Sequence, residues 1–236
     1  MRAIILAGGK GSRLKPYTTL IPKPLVPIGN DKSILEIIIN QLVEQGFTHI
    51  TIAINHFSKL IQSYFGNGSK YKVKIDYSEE KKTLGTFAPL LLIKDLPKNF
   101  LVLNGDTLTN LNYKFFLSGH CKSKFDITIA STKRSENLNY GILTSRNKKL
   151  TSFKEKPKVQ MNVGMGIYAV NKKIIIENTL KRLKKIDFNE ILEKRLKLKK
   201  KTRVYEFSGF WLDIGRPEDY EYVNNNLDFI RSKIKF

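Results

Sequence analysis

The sequence has little of what stabilises secreted, zinc-binding or membrane-spanning proteins. Its 236 residues include one cysteine, Cys121, which excludes an internal disulfide and a cysteine-based zinc site. The apolar run behind Met1 stops at Gly8, too short for a signal-peptide core of ~7–15 residues or a bilayer span of ~20. We therefore expect a cytoplasmic protein without membrane insertion. The 41% hydrophobic and 27% charged residues are typical of a globular fold.

Acidic residues are also scarce, because 21 Asp and Glu face 42 Lys and Arg, a formal net charge of +21. Such a charge favours polyanions, whether nucleic acid, anionic membranes or phosphorylated small molecules. The stretch KRLKKIDFNEILEKRLKLKKKTR, at 181–203, predicts one or two amphipathic helices with solvated basic faces. Their apolar positions are Leu183, Ile186, Ile191, Leu192 and Leu196. Few aromatic residues lie in this stretch and no nucleic-acid-binding motif accompanies it, so we predict no nucleic-acid partner.

Short β-branched runs alternate with longer helical patterns, which is typical of βαβ units around a parallel sheet. The segment SILEIIINQLVEQG has Ser33 and Glu36 in capping-box spacing and ends at Gly46. The segment NYGILTSRNKKLTSFKEKP, at 139–157, predicts a hairpin that turns at Arg146-Asn147. The predicted fold class is α/β and Rossmann-like, with a mostly parallel mixed sheet flanked by helices and a small antiparallel extension.

The segment LAGGKGSRLKPYT, at 6–18, follows the first predicted strand, where parallel α/β sheets bind ligands. It lacks the Gly-Lys-Ser/Thr of a Walker loop and the third glycine of a dinucleotide motif. Its glycines can present backbone N–H groups to an anion, and Arg13 can grip phosphate oxygens. Lys23, between the prolines of PKPLVP, could reach the same polyphosphate. On this segment alone, a flexible surface loop with solvated cations is an equal alternative.

These two segments resemble the signature of the sugar-1-phosphate nucleotidyltransferases, the nucleoside-diphosphate-sugar pyrophosphorylases. The similarity continues in family order through YFGNGSKYKVKIDYSEEKKTLGT, LNGD, YGI, FKEKP, GMGIY and GFWLDIGRPEDY, and so covers nearly the whole chain. Within the family, the compact mannose- and heptose-1-phosphate guanylyltransferases have this kind of length. The resemblance implies one catalytic domain over 1–236, with 1–110 mainly binding nucleotide and 111–236 mainly binding sugar phosphate.

The resemblance also assigns roles to residues. The nucleotide-binding set is Leu6, Gly8, Gly9, Gly11, Arg13, Lys23, Glu80 and Gly85. The sugar-phosphate-binding set is Gly141, Glu155, Lys156 and Gly164. Asp106 and Asp213 match the family's two magnesium ligands, and Mg²⁺ suits two carboxylates plus substrate phosphates. The implied catalytic residues are Arg13, Lys23, Asp106, Lys156 and Asp213.

Two blocks depart from the family pattern. Leu84-Gly85-Thr86-Phe87-Ala88 stands where L-G-T-A-G is usual, which puts close packing of the chain against the base in doubt. Gly164-Met165-Gly166-Ile167-Tyr168 stands where N-A-G-I-Y is usual, which replaces a sugar-facing asparagine with glycine and leaves room. We therefore expect a sugar that differs from the commonest ones.

Glu80 lies where relatives place a side chain that reads the base. A carboxylate accepts hydrogen bonds only, and guanine offers an N1–H and an amino group side by side, so GTP is the favoured donor. A solvated charge at Glu79 or Glu80 is an equal alternative, and CTP, UTP or dTTP would then be the donor.

The predicted partners are a nucleoside triphosphate and a sugar 1-phosphate. Apolar residues near the end of the chain leave a monomer or a homodimer open; these are Tyr222, Leu227, Phe229 and Ile230. A nucleotide-sugar glycosyltransferase is a rival, but no Asp-x-Asp metal motif occurs in the sequence. A basic nucleic-acid-binding protein is the rival from another class.

Overall fold

A computed structural model, which describes residues 1–30, 32–179 and 184–234, folds around one seven-stranded sheet. The strands of the described residues are β1 (Arg2–Leu6), β2 (Pro27–Ile28), β3 (Lys32–Ser33), β4 (His49–Ile54), β5 (Lys74–Glu79), β6 (Asn99–Asn104), β7 (Thr107–Thr109), β8 (Ile127–Asn137), β9 (Ile142–Arg146), β10 (Lys149–Lys154), β11 (Lys158–Asn171), β12 (Arg203–Phe207) and β13 (Trp211–Asp213). Their helices are α1 (Ile34–Glu44), α2 (Ser58–Phe65), α3 (Tyr113–Cys121), α4 (Lys172–Glu177), α5 (Phe188–Lys197), α6 (Pro217–Asn225) and α7 (Leu227–Lys233).

The central sheet has the strand order β12–β8–β11–β6–β1–β4–β5. Four neighbouring pairs are parallel, and only β11 runs antiparallel, to both β6 and β8. The chain passes from β1 to β4 and β5 on one side and then to β6 on the other, so the strand order reverses between β1 and β6. The mostly parallel, Rossmann-like sheet is thus confirmed, and its reversal point is where such sheets bind ligands.

Both faces of the sheet are covered, which explains why its central strands are continuous apolar runs. On β1, Ile5 faces the cluster that contains α1 and α3, whereas Ile4 faces the cluster that contains α4 and α5. On β6, Leu101 and Val102 divide between the two clusters in the same way. No helix in the described ranges is long and apolar enough to cross a bilayer.

The start of α1 confirms the predicted capping box. The Ser33 amide donates to Glu36 Oε2 at 2.9 Å, and the Glu36 amide donates to Ser33 Oγ at 3.3 Å. The Tyr64 and Tyr71 hydroxyls also donate to the buried Glu36 carboxylate, each at 2.9 Å. Burial alone would raise the pKa of Glu36, but these hydrogen bonds together hold it below its usual value.

The described part of the basic stretch contains one helix, α5, in agreement with the one or two helices that we predicted. This helix begins at Phe188, so the prediction was wrong for Ile186, which lies before it. The Ile186 amide donates to Leu84 O at 2.8 Å, and Ile186 O accepts from the Phe87 amide at 2.9 Å. This tertiary pairing holds Ile186 outside the helix, and its side chain is buried. Leu183 lies outside the described residues.

Two residues of α5 lie on the opposite face from the one expected, in which basic residues are solvated and apolar residues are buried. Arg195 lies on the buried side, where it donates to Asp126 Oδ2 at 2.8 Å, whereas Leu196 is 73% exposed. At the end of the chain, Ile230 is buried in the protein's own core, which removes it from any dimer surface. Tyr222 and Phe229 remain about half exposed.

The predicted hairpin is formed by β9 and β10, but its turn is at residues 147 and 148, one residue later than predicted, because Arg146 pairs with Lys149 in the ladder. It extends the ladder of β8 and β11, in which Lys158 pairs with Asn137. Ile167 pairs with Leu103 of β6, so the first half of β11 lies beyond the carboxyl end of β6. The hairpin therefore stands on the same side of the sheet as the glycine loop.

Candidate active site

The glycine loop and the LNGD segment leave the sheet from neighbouring strand ends. Leu6, the last residue of β1, pairs with Asn104, the last residue of β6. The Gly105 amide then donates to Leu6 O at 2.9 Å, and a Cβ on Gly105 would lie 3.1 Å from that oxygen. Glycine at this position lets the chain pass close to β1 without crowding the Leu6 carbonyl, just before Asp106.

A short antiparallel pair brings Asp106 and Asp213 together. Asp213 of β13 pairs with Thr107 of β7, and the Ile214 amide donates to Asp106 O at 3.0 Å. Burial and the Asp106 charge raise the pKa of Asp213 to about 6, against the opposing positive charges of Lys23 and Arg13. A cation beside these two carboxylates would offset their mutual repulsion.

Lys23 supplies one cation. Its ammonium Nζ lies 2.5 Å from Asp106 Oδ2, and the two side chains are only 11% and 21% exposed. Asp106 Oδ1 is buried and has no hydrogen-bond partner in the described residues. That orphaned oxygen, close to Asp213, fits a divalent cation. Among the described residues no group of three or more His, Cys, Asp or Glu side chains could hold a metal, so substrate oxygens would complete the coordination.

Arg13 also lies near Asp213, and its positive charge lowers the pKa of that carboxyl. A Cβ built on Gly215 would be 3.4 Å from Asp213 Oδ2 and 3.8 Å from an Arg13 guanidinium nitrogen. Asp219 orders the same turn, because its Oδ2 accepts from the Gly215 and Arg216 amides at 3.1 and 2.9 Å. The predicted catalytic residues Arg13, Lys23, Asp106 and Asp213 thus form one cluster.

The glycine loop has a shape suited to an anion. The amides of Gly8, Gly9 and Gly11 have no protein acceptor in the described residues. Gly11 has φ +64°, and a Cβ there would lie 3.1 Å from Lys23 Cβ. The Thr18 hydroxyl donates to Gly11 O at 2.7 Å and so holds this turn. The loop therefore offers open N–H groups beside Lys23, which is the arrangement of a phosphate nest.

Glu80 is buried beside this loop rather than solvated. A Cβ on Gly8 would lie 2.8 Å from Glu80 Oε1, while Glu80 Oε2 accepts from the Leu84 amide at 2.8 Å. Asn55 Nδ2 donates to Glu80 O at 3.0 Å. Burial raises the pKa of the Glu80 carboxyl, and the Leu84 hydrogen bond lowers it in part. One carboxylate oxygen thus orders the following loop, and the other faces the glycine loop.

Gly85 lies against the protein's own segment at Ile186 and Asp187. At φ +86° its Cβ position would lie 2.6 Å from both Ile186 O and Asp187 Oδ1. The Thr86 amide donates to Asp187 Oδ1 at 2.8 Å, which locks the same loop. Phe87 and Ala88, the departures from the family pattern, are fully buried, and the Phe87 ring contacts Phe188 edge to face at 5.3 Å. Their packing stabilises the loop from beneath.

The sugar-side residues are brought together only in part. A Cβ on Gly141 would lie 3.0 Å from Glu155 Oε2 and 2.6 Å from the Phe153 ring, so these residues share one face of the hairpin. Lys156 is exposed at φ +42°, and it has no recorded polar partner in the described residues. Gly164 faces open space, with nothing within 4 Å of its Cβ position.

The sequence analysis did not identify three residues whose hydrogen bonds hold the loops of the site, namely Asp219, Asp187 and Asn55. Asp219 and Asp187 both lie at helix starts that the sequence signals, by Pro217 in RPED and by the Asp187–Glu190 spacing in DFNE; the Arg216 amide donates to Asp219 and the Asp187 amide to Glu190. Asn55, which holds the Glu80 backbone, follows β4 without any local signal.

Comparison with known proteins agrees with this geometry. Residues 2–228 match the family described as nucleotidyl transferase. The chain is 33% identical over 231 residues to a D-glycero-alpha-D-manno-heptose 1-phosphate guanylyltransferase of Aneurinibacillus thermoaerophilus, covering 96% of this chain and 98% of that protein. It is 34% identical over 246 residues to a probable mannose-1-phosphate guanylyltransferase of Oryza sativa, covering 99% of this chain but 66% of that longer protein.

A solved structure is also similar. HddC from Yersinia pseudotuberculosis, complexed with GMP-PN, superposes with a TM-score of 0.72 at 26% identity, and the match covers 96% of this chain and 99% of that one. The sheet, the ordered motifs and the family match agree over nearly the whole length. The chain belongs to the nucleotidyl transferase family.

Proposed function

We propose that this protein transfers GMP from GTP to a sugar 1-phosphate, with release of pyrophosphate. The observation that carries the proposal is the Lys23–Asp106 ion pair, which lies against Asp213 and beside a glycine loop with open amides. This set can neutralise several phosphate charges at one point, and nucleotidyl transfer needs that.

The reaction requires alignment more than acid–base chemistry. An already ionised phosphate oxygen of the sugar 1-phosphate attacks the α-phosphorus of GTP. The new P–O bond forms as the bond from the α-phosphorus to the bridging oxygen breaks, and the electron pair leaves with pyrophosphate. No proton has to move, so the protein's task is to hold two anions in line and stabilise the charge of the leaving group.

On the nucleotide side, the amides of Gly8, Gly9 and Gly11 receive phosphate oxygens, and Arg13 binds the β and γ groups. Leu6 ends the strand that carries this loop. Lys23 is held by Asp106 in this structure. The Lys23 ammonium would contact the α-phosphate of the bound nucleotide and stabilise the charge that develops in the transition state.

Asp106 and Asp213 would hold Mg²⁺, which would offset phosphate repulsion and polarise the α-phosphate. Within the described residues, Asp106 Oδ1 is buried without a hydrogen-bond partner, and the cation would satisfy this oxygen. Among the remaining residues, Lys156 binds the acceptor phosphate from the hairpin and Glu155 binds sugar hydroxyls next to Gly141. Gly164 lines the side of the sheet nearest β8.

GTP is the donor that Glu80 favours. Its Oε1 is free of the Leu84 hydrogen bond and lies beside Gly8, where it can accept from the N1–H and amino group of guanine. Gly85 contributes by letting the 84–88 loop close against Ile186. The relatives named as guanylyltransferases support this choice over CTP, UTP or dTTP.

The relatives' names also support a sugar 1-phosphate of the manno series. The division into a nucleotide half and a sugar-phosphate half, a cytoplasmic location, a monomeric or homodimeric state and the lack of a nucleic-acid partner stay predictions. The family match gives no support to a glycosyltransferase or a nucleic-acid-binding protein.

A pyrophosphate-release assay tests the proposal. Purified protein is incubated with GTP, CTP, UTP, ATP or dTTP and with α-D-mannose 1-phosphate or D-glycero-α-D-manno-heptose 1-phosphate, with and without Mg²⁺. We expect release that requires GTP, the sugar 1-phosphate and Mg²⁺ together. Folded protein that releases no pyrophosphate from any pair would refute the enzymatic proposal, and a preference for UTP or dTTP would refute the role of Glu80.

A further inference from the structure

A polar cavity lies at the end of the sheet opposite the candidate active site. The strand β11 ends at Asn171, which pairs with Asn99 at the start of β6, so α4 begins at the amino ends of the parallel strands. Between α4 and α5 lies a cavity of about 280 Å³, which we call the Arg195 cavity. Its lining includes Ile174, Asn178, Ile191, Lys194, Arg195 and Leu198. Among the described residues, none of those predicted to bind nucleotide or sugar phosphate lines it.

Arg195 uses only part of its hydrogen-bonding capacity, since a guanidinium carries five N–H donors. Its Nε donates to Thr202 Oγ1 at 3.2 Å, and its Nη2 donates to Asp126 Oδ2 at 2.8 Å and to Lys201 O at 3.2 Å. The residue is 4% exposed, and its Nη1 is buried without a hydrogen-bond partner in the described residues. Two N–H groups of a buried cation therefore lack an acceptor.

Asn178 adds an unpaired acceptor to the same lining. Its Nδ2 donates to Ile174 O at 2.8 Å. The residue is 5% exposed, and within the ranges 1–30, 32–179 and 184–234 its Oδ1 is buried without a partner. Buried polar atoms in native proteins nearly always have a partner. A ligand of the Arg195 cavity must thus accept from a guanidinium and donate to an amide oxygen.

The charges of the lining distinguish an anion from a water molecule. Glu177 also lines the cavity, but Lys200 Nζ lies 3.0 Å from its Oε2 and offsets its charge. Asp126 and Arg195 offset each other as an ion pair. Lys194 has no recorded ion pair in the part of the chain that the structure describes. One positive charge is therefore left over, and it favours an anion over neutral water.

We infer that the Arg195 cavity is a binding site for inorganic phosphate. Phosphate oxygens accept from Arg195 Nη1 and from the Lys194 ammonium, and the hydroxyl that inorganic phosphate retains at neutral pH donates to Asn178 Oδ1. Sulfate has the same shape but no hydroxyl at neutral pH, so it would leave Asn178 Oδ1 unpaired. A site built for a hydrogen-bond donor rejects an analogue that lacks it. The small volume also favours a single phosphate, because sites for drug-sized ligands span about 300–1,000 Å³.

The Arg195 cavity lies beneath the 84–88 loop. Two of its apolar walls, Ile174 and Ile191, belong to the buried cluster that also contains Leu84 and Phe87. The Phe87 amide donates to Ile186 O at 2.9 Å, just before α5 begins. A ligand that joins α4 to α5 therefore stabilises the packing under this loop, and hydrogen exchange at the Phe87 amide should become slower.

Calorimetric titration with sodium phosphate tests the site. The protein is titrated in saturating GTP and Mg²⁺ without a sugar 1-phosphate, so that nucleotide occupies the glycine loop. We expect one phosphate to bind per chain, and sodium sulfate to bind at least tenfold more weakly. Pyrophosphate and mannose 6-phosphate, which carry the same group on a larger molecule, should also bind more weakly.

Two variants and a control assign the binding to the Arg195 cavity. Lys194→Gln removes the unpaired charge, and Arg195→Lys keeps a charge for Asp126 but removes Nη1. Each should weaken phosphate binding about tenfold. Lys197→Gln is the matched control, because Lys197 is an exposed lysine of the same helix outside the cavity. It should bind phosphate as the wild type does, and phosphate should slow exchange at the Phe87 amide in Lys197→Gln but not in Lys194→Gln.

Three results would overturn the inference: no phosphate binding, complete displacement of phosphate by GTP, or equal binding in Lys194→Gln and Lys197→Gln. Equal affinities for phosphate and sulfate would remove the role of Asn178, and tighter binding of pyrophosphate or mannose 6-phosphate would refute inorganic phosphate as the ligand. Urea unfolding of each variant shows whether a loss of binding reflects a loss of folding. None of these measurements uses turnover, so their failure would leave the proposed function in place.

Discussion

Replacing Lys23 by methionine removes the positive charge of the site while keeping a side chain of similar length. If the ammonium stabilises the α-phosphate in the transition state, its loss costs ~3–4 kcal/mol, and kcat should fall about 10²- to 10³-fold. Lys23 and Asp106 are 2.5 Å apart and mostly buried, so the change also leaves Asp106 without its partner. The variant therefore tests both the catalytic role and the electrostatic balance of the cluster.

The effect on stability should be smaller than the effect on turnover. Breaking a fully buried ion pair costs ~3–5 kcal/mol, but these side chains keep 11% and 21% exposure and Asp213 can take up a proton. We expect the free energy of unfolding to fall by ~1–2 kcal/mol. Denaturant unfolding measures this change, and a folded variant with a 10²-fold lower kcat separates catalysis from folding.

Lys23→Met should also change the pH dependence of metal binding. Lys23 lowers the pKa of Asp213, which burial and Asp106 raise to about 6, so its removal raises that pKa further. A protonated carboxyl binds Mg²⁺ poorly. The Mg²⁺ concentration for half-maximal rate should therefore rise more in the variant than in the wild type between pH 8 and pH 6.5.

Lys10→Met is the matched control, because Lys10 is an exposed lysine in the same glycine loop. It should keep a near wild-type kcat. The reasoning fails if Lys23→Met turns over at a wild-type rate, or if Lys10→Met loses as much activity as Lys23→Met.

Three further substitutions address separate parts of the structure. Glu36→Gln removes the charged acceptor of two tyrosine hydroxyls and an amide and should lower the free energy of unfolding by ~2 kcal/mol at pH 7. The folded-state pKa of Glu36 lies below the unfolded value of ~4.3. The stabilisation by the Glu36 carboxylate is therefore complete above that pH and is lost as the pH falls through the folded pKa. In urea unfolding, the free-energy difference between wild type and variant should be smaller at pH 3 than at pH 7. Glu80→Gln should raise KM for GTP about tenfold and narrow the preference over UTP, and unchanged donor selectivity would exclude a base-reading role. Gly11→Ala, at φ +64° and with Lys23 Cβ 3.1 Å from the new methyl, should raise KM for GTP several-fold, as measured by initial rates; an unchanged KM would show that the loop adapts.

Much of the fold was predictable because it depends on local patterns. The apolar runs of β1 and β6, the capping box of Ser33 and Glu36, and the turn signal around Asn147 all specify their elements within a few residues. The prediction failed where distant segments override that pattern. Ile186 fits a helical spacing, but its backbone pairs with Leu84 and Phe87, about a hundred residues earlier in the chain.

In the candidate site, too, local sequence patterns predict some properties and tertiary packing decides the others. By itself, the sequence determined the residue types: glycines and Arg13 behind β1, an aspartate at the end of β6, and family motifs in order, because each is a local string. Only the tertiary structure decided that Lys23 neutralises Asp106 and that β7 pairs with β13 beside them. It also decided that burial and the neighbouring Asp106 charge raise the pKa of Asp213. These properties depend on burial and on the distance between charges, which arise only when remote segments pack together.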